Sequence, residues 1–249
     1  MASIDISEEK GVRNLHFGSH WVQGAMRIAR PWSLELEYTR QMMAALLVRE
    51  ASGWPRMVLQ VGLGAASLAR FLHRYRPRAH QVVVESQPGV VAAARQFFKL
   101  PADSASFRVV LGDGYEYVAA CPRRFDLLLV DGFDERGQAG MLETLPFYLN
   151  CRARLSPRGV AAFNLLDRRR GAAAGLDRLR EAFAGRVLVL PRCAAGNTVV
   201  LAAAGDRAGL EAQAWRAAAL ELRADTGLDL RSLVGALFAA PGIGERLAF

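Results

Sequence analysis

Cysteine is scarce in this sequence, and long apolar runs are absent. The 249 residues include three cysteines, Cys121, Cys151 and Cys193, and their odd number and long spacings predict neither a disulfide framework nor a zinc knuckle. Free cysteines are typical of the reducing cytoplasm, which is the predicted location. No apolar run reaches the roughly 20 residues of a membrane helix, and the polar, acidic start of the chain is not typical of a signal peptide. We therefore expect no membrane partner.

Lysine is nearly missing, although the chain is basic. The formal net charge is +8 at pH 7, yet 30 of the 32 basic residues are arginine. A basic protein can bind nucleic acid, an anionic substrate or an acidic partner. Here the arginine stands beside much alanine and glycine, which favours a genome-wide coding bias over selection for phosphate contacts. The composition therefore argues against nucleic acid as a partner.

Short apolar runs alternate with helical segments from Arg56 onwards. The predicted strands are Met57–Val61, Gln81–Val84, Phe107–Leu111, Phe125–Val130 and Val160–Asn164. Because these runs are apolar on both faces and separated by helices, they indicate a buried parallel sheet. Two further runs, Arg186–Leu190 and Thr198–Ala203, are predicted to close the sheet as an antiparallel pair.

Two smaller regions flank this pattern. Residues 11–30 predict a β-hairpin, and Ser33 is the predicted cap of a helix that runs to about Glu50. The tail predicts two helices broken at Thr226–Gly227. We therefore divide the chain into three parts. They are an N-terminal hairpin and helix (1–52), a Rossmann-like cofactor-binding domain (53–205) and a C-terminal helical extension (206–249).

Glycines and acids end four successive strands of the predicted sheet. An open parallel sheet binds its ligand beyond the carboxyl ends of its strands, and these ends carry Gly62, Gly64, Glu85, Asp113 and Asp131. The glycines allow a bulky ligand to approach the backbone. Glu85 is placed to accept hydrogen bonds from both hydroxyls of a ribose. This pattern predicts a nucleotide-like ligand.

A dehydrogenase is the natural alternative, since its glycine loop is similar. The dinucleotide fingerprint needs a third small residue, glycine or alanine, where the helix packs on the strand, but this position is Ser67. Asp113 suits an adenine amino group better than a pyrophosphate. The residues therefore favour S-adenosylmethionine or a relative of it over a dinucleotide. The four histidines have no metal-ligand spacing, so no metal is expected.

Five segments resemble a known family. They are Val58–Gly64, Val84–Glu85, Leu111–Tyr117, Phe125–Asp131 and Leu155–Val160. These segments resemble the spermidine synthase family, the polyamine aminopropyltransferases, and the likeness covers about residues 11–205. It implies an α/β fold of the class I methyltransferase-like (Rossmann-like) type. That fold has a seven-stranded, mostly parallel sheet with helices on both faces, preceded by a small β-hairpin.

The resemblance also implies a reaction and a donor site. The family transfers the aminopropyl group of decarboxylated S-adenosylmethionine to a diamine, so we expect this compound or S-adenosylmethionine itself as co-substrate. Glu85 matches the acid that binds the ribose. Asp113, with Gly114 beside it, matches the acid that binds adenine. Gly62 and Gly64 match the glycine loop.

The acceptor side of the site is also implied by the resemblance. Asp131 and Asp134 match the two acids of the family's Asp-Ser-x-Asp-Pro motif. The first helps to deprotonate the attacking amine, and the second helps to hold the amine chain. Tyr38 matches the tyrosine of a Tyr-His-Glu motif. The implied catalytic residues are therefore Asp131, Asp134 and Tyr38, and a small-molecule amine is the expected acceptor.

Two departures from the family pattern predict weak or absent spermidine synthase activity. Ala65 replaces an aspartate of the glycine loop, and Arg40 replaces the glutamate two residues after Tyr38. Both changes remove a negative charge that would face a cationic ligand. A further cationic segment, Arg168–Arg170, follows the fifth predicted strand. These departures predict an acceptor that is less cationic than putrescine or differently shaped.

Two other functions stay open at this stage. The first is an S-adenosylmethionine-dependent methyltransferase that acts on an unknown acceptor, which could be anionic. The second is a cofactor-binding protein without catalysis. A homodimer is expected in each case, because the exposed hairpin and its Trp21 would benefit from cover.

Overall fold

The computed structural model describes seven stretches of the chain. They are residues 3–18, 21–49, 53–134, 137–166, 173–205, 209–240 and 246–249. The first unit is a three-stranded antiparallel sheet of β1 (Ile4–Glu9), β2 (Val12–Phe17) and β3 (Gly24–Arg27). The strands β2 and β3 form the predicted hairpin. The sequence pattern misses β1, because this strand is mostly exposed and polar.

The helix predicted from Ser33 is shorter than expected. The helix α1 spans Glu37–Met42 and continues as a 3₁₀ helix, Met43–Leu47. Ser33 is not the cap, because the helix begins four residues later and Leu36 occupies the N-cap position; Ser33 itself lies in a turn, where its backbone N–H donates to the carbonyl of Arg30 (2.9 Å). The predicted end of the helix, at Glu50, lies outside the described residues.

Strands and helices then alternate as the sequence predicts. They are β4 (Met57–Val61), α2 (Ser67–Tyr75), β5 (His80–Glu85), α3 (Pro88–Phe97), β6 (Phe107–Leu111), α4 (Gly114–Ala120), β7 (Phe125–Val130), α5 (Leu145–Ala153), β8 (Leu155–Leu166), α6 (Ala173–Ala182), β9 (Val187–Val189) and β10 (Asn197–Ala203). The seven strands β4 to β10 form one sheet in the order β6-β5-β4-β7-β8-β10-β9. All neighbours from β6 to β8 are parallel. The strand β10 is antiparallel to both β8 and β9. The predicted mostly parallel seven-stranded sheet is therefore confirmed.

Helices cover both faces of this sheet, as the central strand β7 illustrates. Leu127 and Leu129 belong to a core cluster with α2 and the C-terminal helices, whereas Leu128 and Val130 pack in a second cluster with α4, α5 and α6. Successive side chains of a strand point to opposite faces. A fully apolar strand therefore needs a cover on each side, which the helices supply.

The C-terminal tail packs on the first of these two clusters. It contains β11 (Gly209–Glu211), α7 (Ala212–Thr226), α8 (Arg231–Ala239) and β12 (Arg246–Ala248). Gly227 ends α7 with a φ of +76°, and this is the break that the sequence predicts. Trp215 of α7 is fully buried in the cluster. No helix among the described residues has both the length and the apolar character needed to cross a membrane.

Candidate active site

Two adjoining cavities lie at the carboxyl ends of β4 to β7. We name the first the Asp131 cavity; the argument below uses its lining residues Glu37, Tyr38, Gly62, Glu85, Asp131 and Asn164. We name the second the Asp113 cavity; its relevant lining residues are Gly62, Gln87, Asp113, Gly114, Gly132 and Asp134. Their volumes are about 140 Å³ and 300 Å³. Since Gly62 and Gly132 line both cavities, one elongated ligand can extend from one to the other.

The end of β4 lies directly against the end of β7. The backbone N–H of Asp131 donates to the carbonyl of Val61 (2.9 Å), and Gly62 follows with a φ of +91°. A β-carbon at Gly62 would collide with the backbone carbonyl of Asp131. Gly62 is thus required for the close approach that joins the two cavities. Gly64 lines the Asp131 cavity with a φ of +50°.

Glu85, at the end of β5, holds the glycine loop. Its Oε2 accepts the backbone N–H of Leu63 (2.9 Å), and its Oε1 accepts that of Gln87 (2.9 Å). The side chain is 8 % exposed and lines the Asp131 cavity. Each carboxylate oxygen has two lone pairs, so both oxygens can still accept a ligand hydroxyl. The geometry therefore suits a diol.

Asp113 and Gly114 lie in the second cavity, at the start of α4. The Asp113 Oδ1 caps this helix by accepting the backbone N–H of Glu116 (3.0 Å). Asp113 is exposed, and Gly114 is the first residue of the helix. Glu85 and Asp131 thus line one cavity, and Asp113 lines the adjoining one.

Asp131 is the centre of a network of polar side chains. Its Oδ1 accepts a hydrogen bond from Asn164 Nδ2 (2.8 Å), and the Asn164 Oδ1 accepts one from Asn197 Nδ2 (3.0 Å). The Tyr38 hydroxyl lies beside the same carboxylate and favours its ionised form. Asn164 and Asn197 are 5 % and 7 % exposed. The two linked amides, Asn164 and Asn197, and the neighbouring Tyr38 fix the orientation of this carboxylate.

Burial changes the acidity of both members of the Tyr38–Asp131 pair. Desolvation raises the pKa of Asp131 to about 6, although the hydrogen bonds from Asn164 and Tyr38 act in the opposite direction. Burial, followed by the charge of Asp131, raises the pKa of Tyr38 well above its ordinary value. The tyrosine therefore stays protonated and donates. A carboxylate with a pKa near 6 is poised to accept a proton at neutral pH.

Asp134 lines the Asp113 cavity and is not among the residues that line the Asp131 cavity. Its Oδ1 accepts the backbone N–H of Gln138 (2.7 Å), and its backbone N–H donates to the Gln138 carbonyl (2.9 Å). Asp131 and Asp134 thus line two adjoining cavities that share Gly132 and Phe133. The segment Arg168–Arg170 lies outside the described residues.

The two departures from the family pattern do not face the cavities. Ala65 is 2 % exposed and packs in a core cluster, with its β-carbon against Gly24. The guanidinium of Arg40 donates to the backbone carbonyl of Glu35 (3.0 Å) and, more weakly, to that of Leu34 (3.4 Å). Neither residue lines the Asp131 cavity. Ala65 and Arg40 therefore do not set the charge of the cavity walls.

Sequence reasoning misses three polar residues of the site, namely Glu37, Asn164 and Asn197. Asn164 ends the fifth predicted strand, so the rule that identifies the other strand ends could have found it. Glu37 directly precedes Tyr38, but only the fold shows that it lines the cavity. Asn197 begins β10, a strand that the sequence assigns only to closing the sheet. In the described ranges, no three histidine, cysteine or acidic side chains are grouped to hold a metal.

The glycine loop contains one strained residue, Ala66. It is the N-cap of α2 and has a φ of +56°, a left-handed conformation that costs an L-residue roughly 1–2 kcal/mol. We expect Ala66→Gly to leave the free energy of unfolding nearly unchanged, measured by chemical denaturation, because the relief of strain offsets the loss of a buried methyl group and the greater freedom of glycine in the unfolded chain. Ala92→Gly, at an exposed position inside α3, is the control and should lower stability by about 1 kcal/mol. Equal changes in both variants would contradict the assignment of strain to Ala66.

Sequence comparison finds a family model and several relatives that match this chain. Residues 36–164 match the spermine/spermidine synthase domain. The polyamine aminopropyltransferase of Chromobacterium violaceum is 38% identical over 237 residues, which are 95% of this chain and 90% of that protein. The polyamine aminopropyltransferase of Neisseria meningitidis serogroup B is 38% identical over 199 residues, 80% of this chain and 75% of that protein.

Solved structures share the fold. A probable spermidine synthase from Corynebacterium glutamicum has a TM-score of 0.70 at 19% identity, covering 87% of this chain and 83% of its own. A spermidine synthase in complex with the transition-state analogue AdoDATO has a TM-score of 0.63 at 20% identity. The match covers 96% of this chain and 85% of that chain. These similarities confirm the class I methyltransferase-like fold. The sequence identity over most of the chain shows in addition that the protein belongs to the spermine/spermidine synthase family.

Proposed function

We propose that the protein transfers the aminopropyl group of decarboxylated S-adenosylmethionine to an amine acceptor. The observation that carries this proposal is the oriented Asp131 carboxylate, held by Asn164 (2.8 Å) and Tyr38 in the cavity that Glu85 also lines. The polyamine aminopropyltransferases that the chain resembles over most of its length support the same reaction.

The donor would lie across both cavities. Asp113 would bind the adenine amino group, Glu85 the ribose hydroxyls, and the sulfonium end would then point towards Asp131. Gly62 and Gly114 leave room for the ligand beside the backbone. A donor in this orientation presents its aminopropyl chain to the carboxylate that accepts the proton.

The proposed reaction is a single displacement. The acceptor nitrogen forms a bond to the terminal aminopropyl carbon as the bond from that carbon to sulfur breaks. The electron pair leaves with sulfur, so that neutral methylthioadenosine is the second product. Asp131 accepts the proton that the nitrogen loses and releases it to solvent. The step requires neither an oxidant nor a metal.

The charge of the site favours a cationic acceptor. Among the described residues that line the two cavities, the charged side chains are all acids, namely Glu37, Glu85, Asp131, Asp113 and Asp134. This lining disfavours the alternative of a methyltransferase with an anionic acceptor. The expectation of weak spermidine synthase activity rests on Ala65 and Arg40, and neither side chain lines the Asp131 cavity.

A direct assay tests the proposed function. The purified protein is incubated with 1,4-diaminobutane and either decarboxylated or intact S-adenosylmethionine, and the nucleoside products are separated. We expect methylthioadenosine and spermidine from the decarboxylated donor. S-adenosylhomocysteine from the intact donor would instead identify a methyltransferase. Binding of either donor without turnover would favour the non-catalytic alternative.

The hydrogen bonds that link Asn197, Asn164 and Asp131 lead to a prediction about pH dependence. Since the hydrogen bond from Asn164 lowers the pKa of Asp131, Asn164→Ala should raise this pKa above about 6. The low-pH limb of kcat/KM should then move up by about 1 pH unit, as expected for the loss of a hydrogen bond of ~1.4 kcal/mol. The value of kcat/KM at high pH, where Asp131 is ionised in both proteins, should change less than the value at low pH. Asn197→Ala should have a smaller effect of the same sign, and an unmoved profile in Asn164→Ala would contradict the role of Asn164.

A homodimer remains a prediction. Trp21 and Val22 are 47% and 42% exposed, and both precede β3 near the Asp131 cavity, which Val22 also lines. Apolar side chains exposed beside a ligand cavity are typical of a surface that a second copy covers. Sedimentation measurements would test this prediction.

A further inference from the structure

We infer that Glu37 makes the site selective for diamines, because its carboxylate binds the ammonium group of the acceptor that does not react. The inference rests on the proposed function and adds a specificity-determining residue to it.

The structure holds Glu37 at a defined position in the Asp131 cavity. Glu37 is the first residue of α1 and precedes Tyr38, whose hydroxyl contacts Asp131. Its Oε2 accepts the backbone N–H of Ala194 (2.9 Å) in the segment between β9 and β10. The neighbouring Ala195 lines the same cavity. The carboxylate is therefore oriented by a backbone donor on the wall of the cavity.

Glu37 has no cationic partner in the part of the chain that the structure describes. No arginine, lysine or histidine there forms an ion pair with it. The nearest candidate in sequence, Arg40, donates to the backbone carbonyl of Glu35 (3.0 Å) instead. A partly buried carboxylate without a counter-charge is unfavourable. A ligand cation would supply the missing charge and a charge-assisted hydrogen bond.

The other two acids that line the Asp131 cavity are Glu85 and Asp131, and both already bind other groups of the protein. Glu85 binds two backbone N–H groups of the glycine loop and its neighbour, and Asp131 is held by Asn164 and Tyr38. A diamine has two ammonium groups, of which one must lose a proton before it attacks. Since Asp131 accepts this proton, the second ammonium group keeps its charge and needs another anion. Glu37 is the remaining acid of this cavity.

The test compares two acceptors and a conservative variant. Glu37→Gln removes the charge but keeps an oxygen that can accept the Ala194 N–H. The acceptors are 1,4-diaminobutane and 1-aminobutane, which differ by the second amino group. We expect wild type to have a higher kcat/KM for the diamine than for the monoamine. In the variant, the ratio of these two kcat/KM values should fall at least about tenfold, mostly because KM for the diamine rises. Glu37→Asp should have a preference for the diamine between those of wild type and Glu37→Gln. Glu221→Gln, at an exposed position of α7, removes the same charge far from the site and should behave as wild type.

The other kinetic outcomes overturn the inference. Equal losses for both amines would assign Glu37 only to the support of the Ala194 segment, and unchanged kinetics would remove it from the site. A calorimetric titration of 1,4-diaminobutane with methylthioadenosine present gives a readout without turnover. Wild type should bind the diamine at least tenfold more tightly than Glu37→Gln, and equal affinities would contradict the role of Glu37. If wild type binds the diamine in this way but transfers no aminopropyl group, the proposed function fails while the binding role of Glu37 stands.

Discussion

Asp131→Asn is expected to lower kcat by ~10²- to 10⁴-fold, the usual contribution of a general base. The amide can still accept the hydrogen bond from Asn164, and its own N–H₂ group can donate to Tyr38. The variant therefore keeps the polar network and loses only the ability to take a proton. The measurement is the steady-state rate of methylthioadenosine formation with 1,4-diaminobutane.

The pKa of Asp131 provides a second readout of the same role. Because the folded-state pKa is raised to about 6, wild-type activity should fall as the pH decreases through 6 and the carboxylate becomes protonated. A raised carboxyl pKa also means that ionisation opposes folding above this pH. Asp131→Asn should accordingly be at least as stable as wild type at pH 7. Full activity in a stable variant would leave Asp131 with a structural role only.

Glu85→Ala is expected to weaken methylthioadenosine binding about tenfold to a hundredfold, because hydrogen bonds to a charged group contribute roughly 1.5–3 kcal/mol. The measurement is calorimetric titration. Glu85 lies at the end of β5, where its carboxylate faces the cavity and can accept from a ribose diol. Asp113→Ala should cause a smaller loss, since Asp113 is exposed and its Oδ1 also caps α4.

A matched control is needed for Glu85, since its carboxylate also holds the backbone of Leu63. Ser67→Ala removes another bond that holds the end of the same loop, from Ser67 Oγ to the Ala25 carbonyl (3.0 Å). Ser67 lines neither cavity. An equal loss of affinity in both variants would show that loop geometry, rather than a ribose contact, explains the effect of Glu85.

Three strands are observed with the predicted bounds, namely Met57–Val61, Phe107–Leu111 and Phe125–Val130. Two of them, β4 and β7, lie inside the sheet, where a strand buried on both faces must be apolar throughout. The third, β6, is an edge strand and is partly exposed. The strand β8 is longer than predicted at both ends, and the sequence pattern misses its beginning because Ser156, Pro157 and Arg158 interrupt the apolar run and are partly or fully exposed. The early end of α1 also escapes the pattern, because the buried residues that follow it are equally compatible with a regular helix.

The sequence by itself determined the sheet, the family and the acids at the strand ends. These features depend on local composition and on the order of residues along the chain, which the sequence records directly. Only the tertiary structure decided which side chains share a cavity. It places Asp134 in the cavity next to that of Asp131, buries Ala65 against Gly24, turns Arg40 to a backbone carbonyl and brings Glu37 into the site. The physical reason is that the direction of a side chain is set by packing between elements far apart in the chain, such as α1 with the segment before β10, and no local pattern encodes this packing.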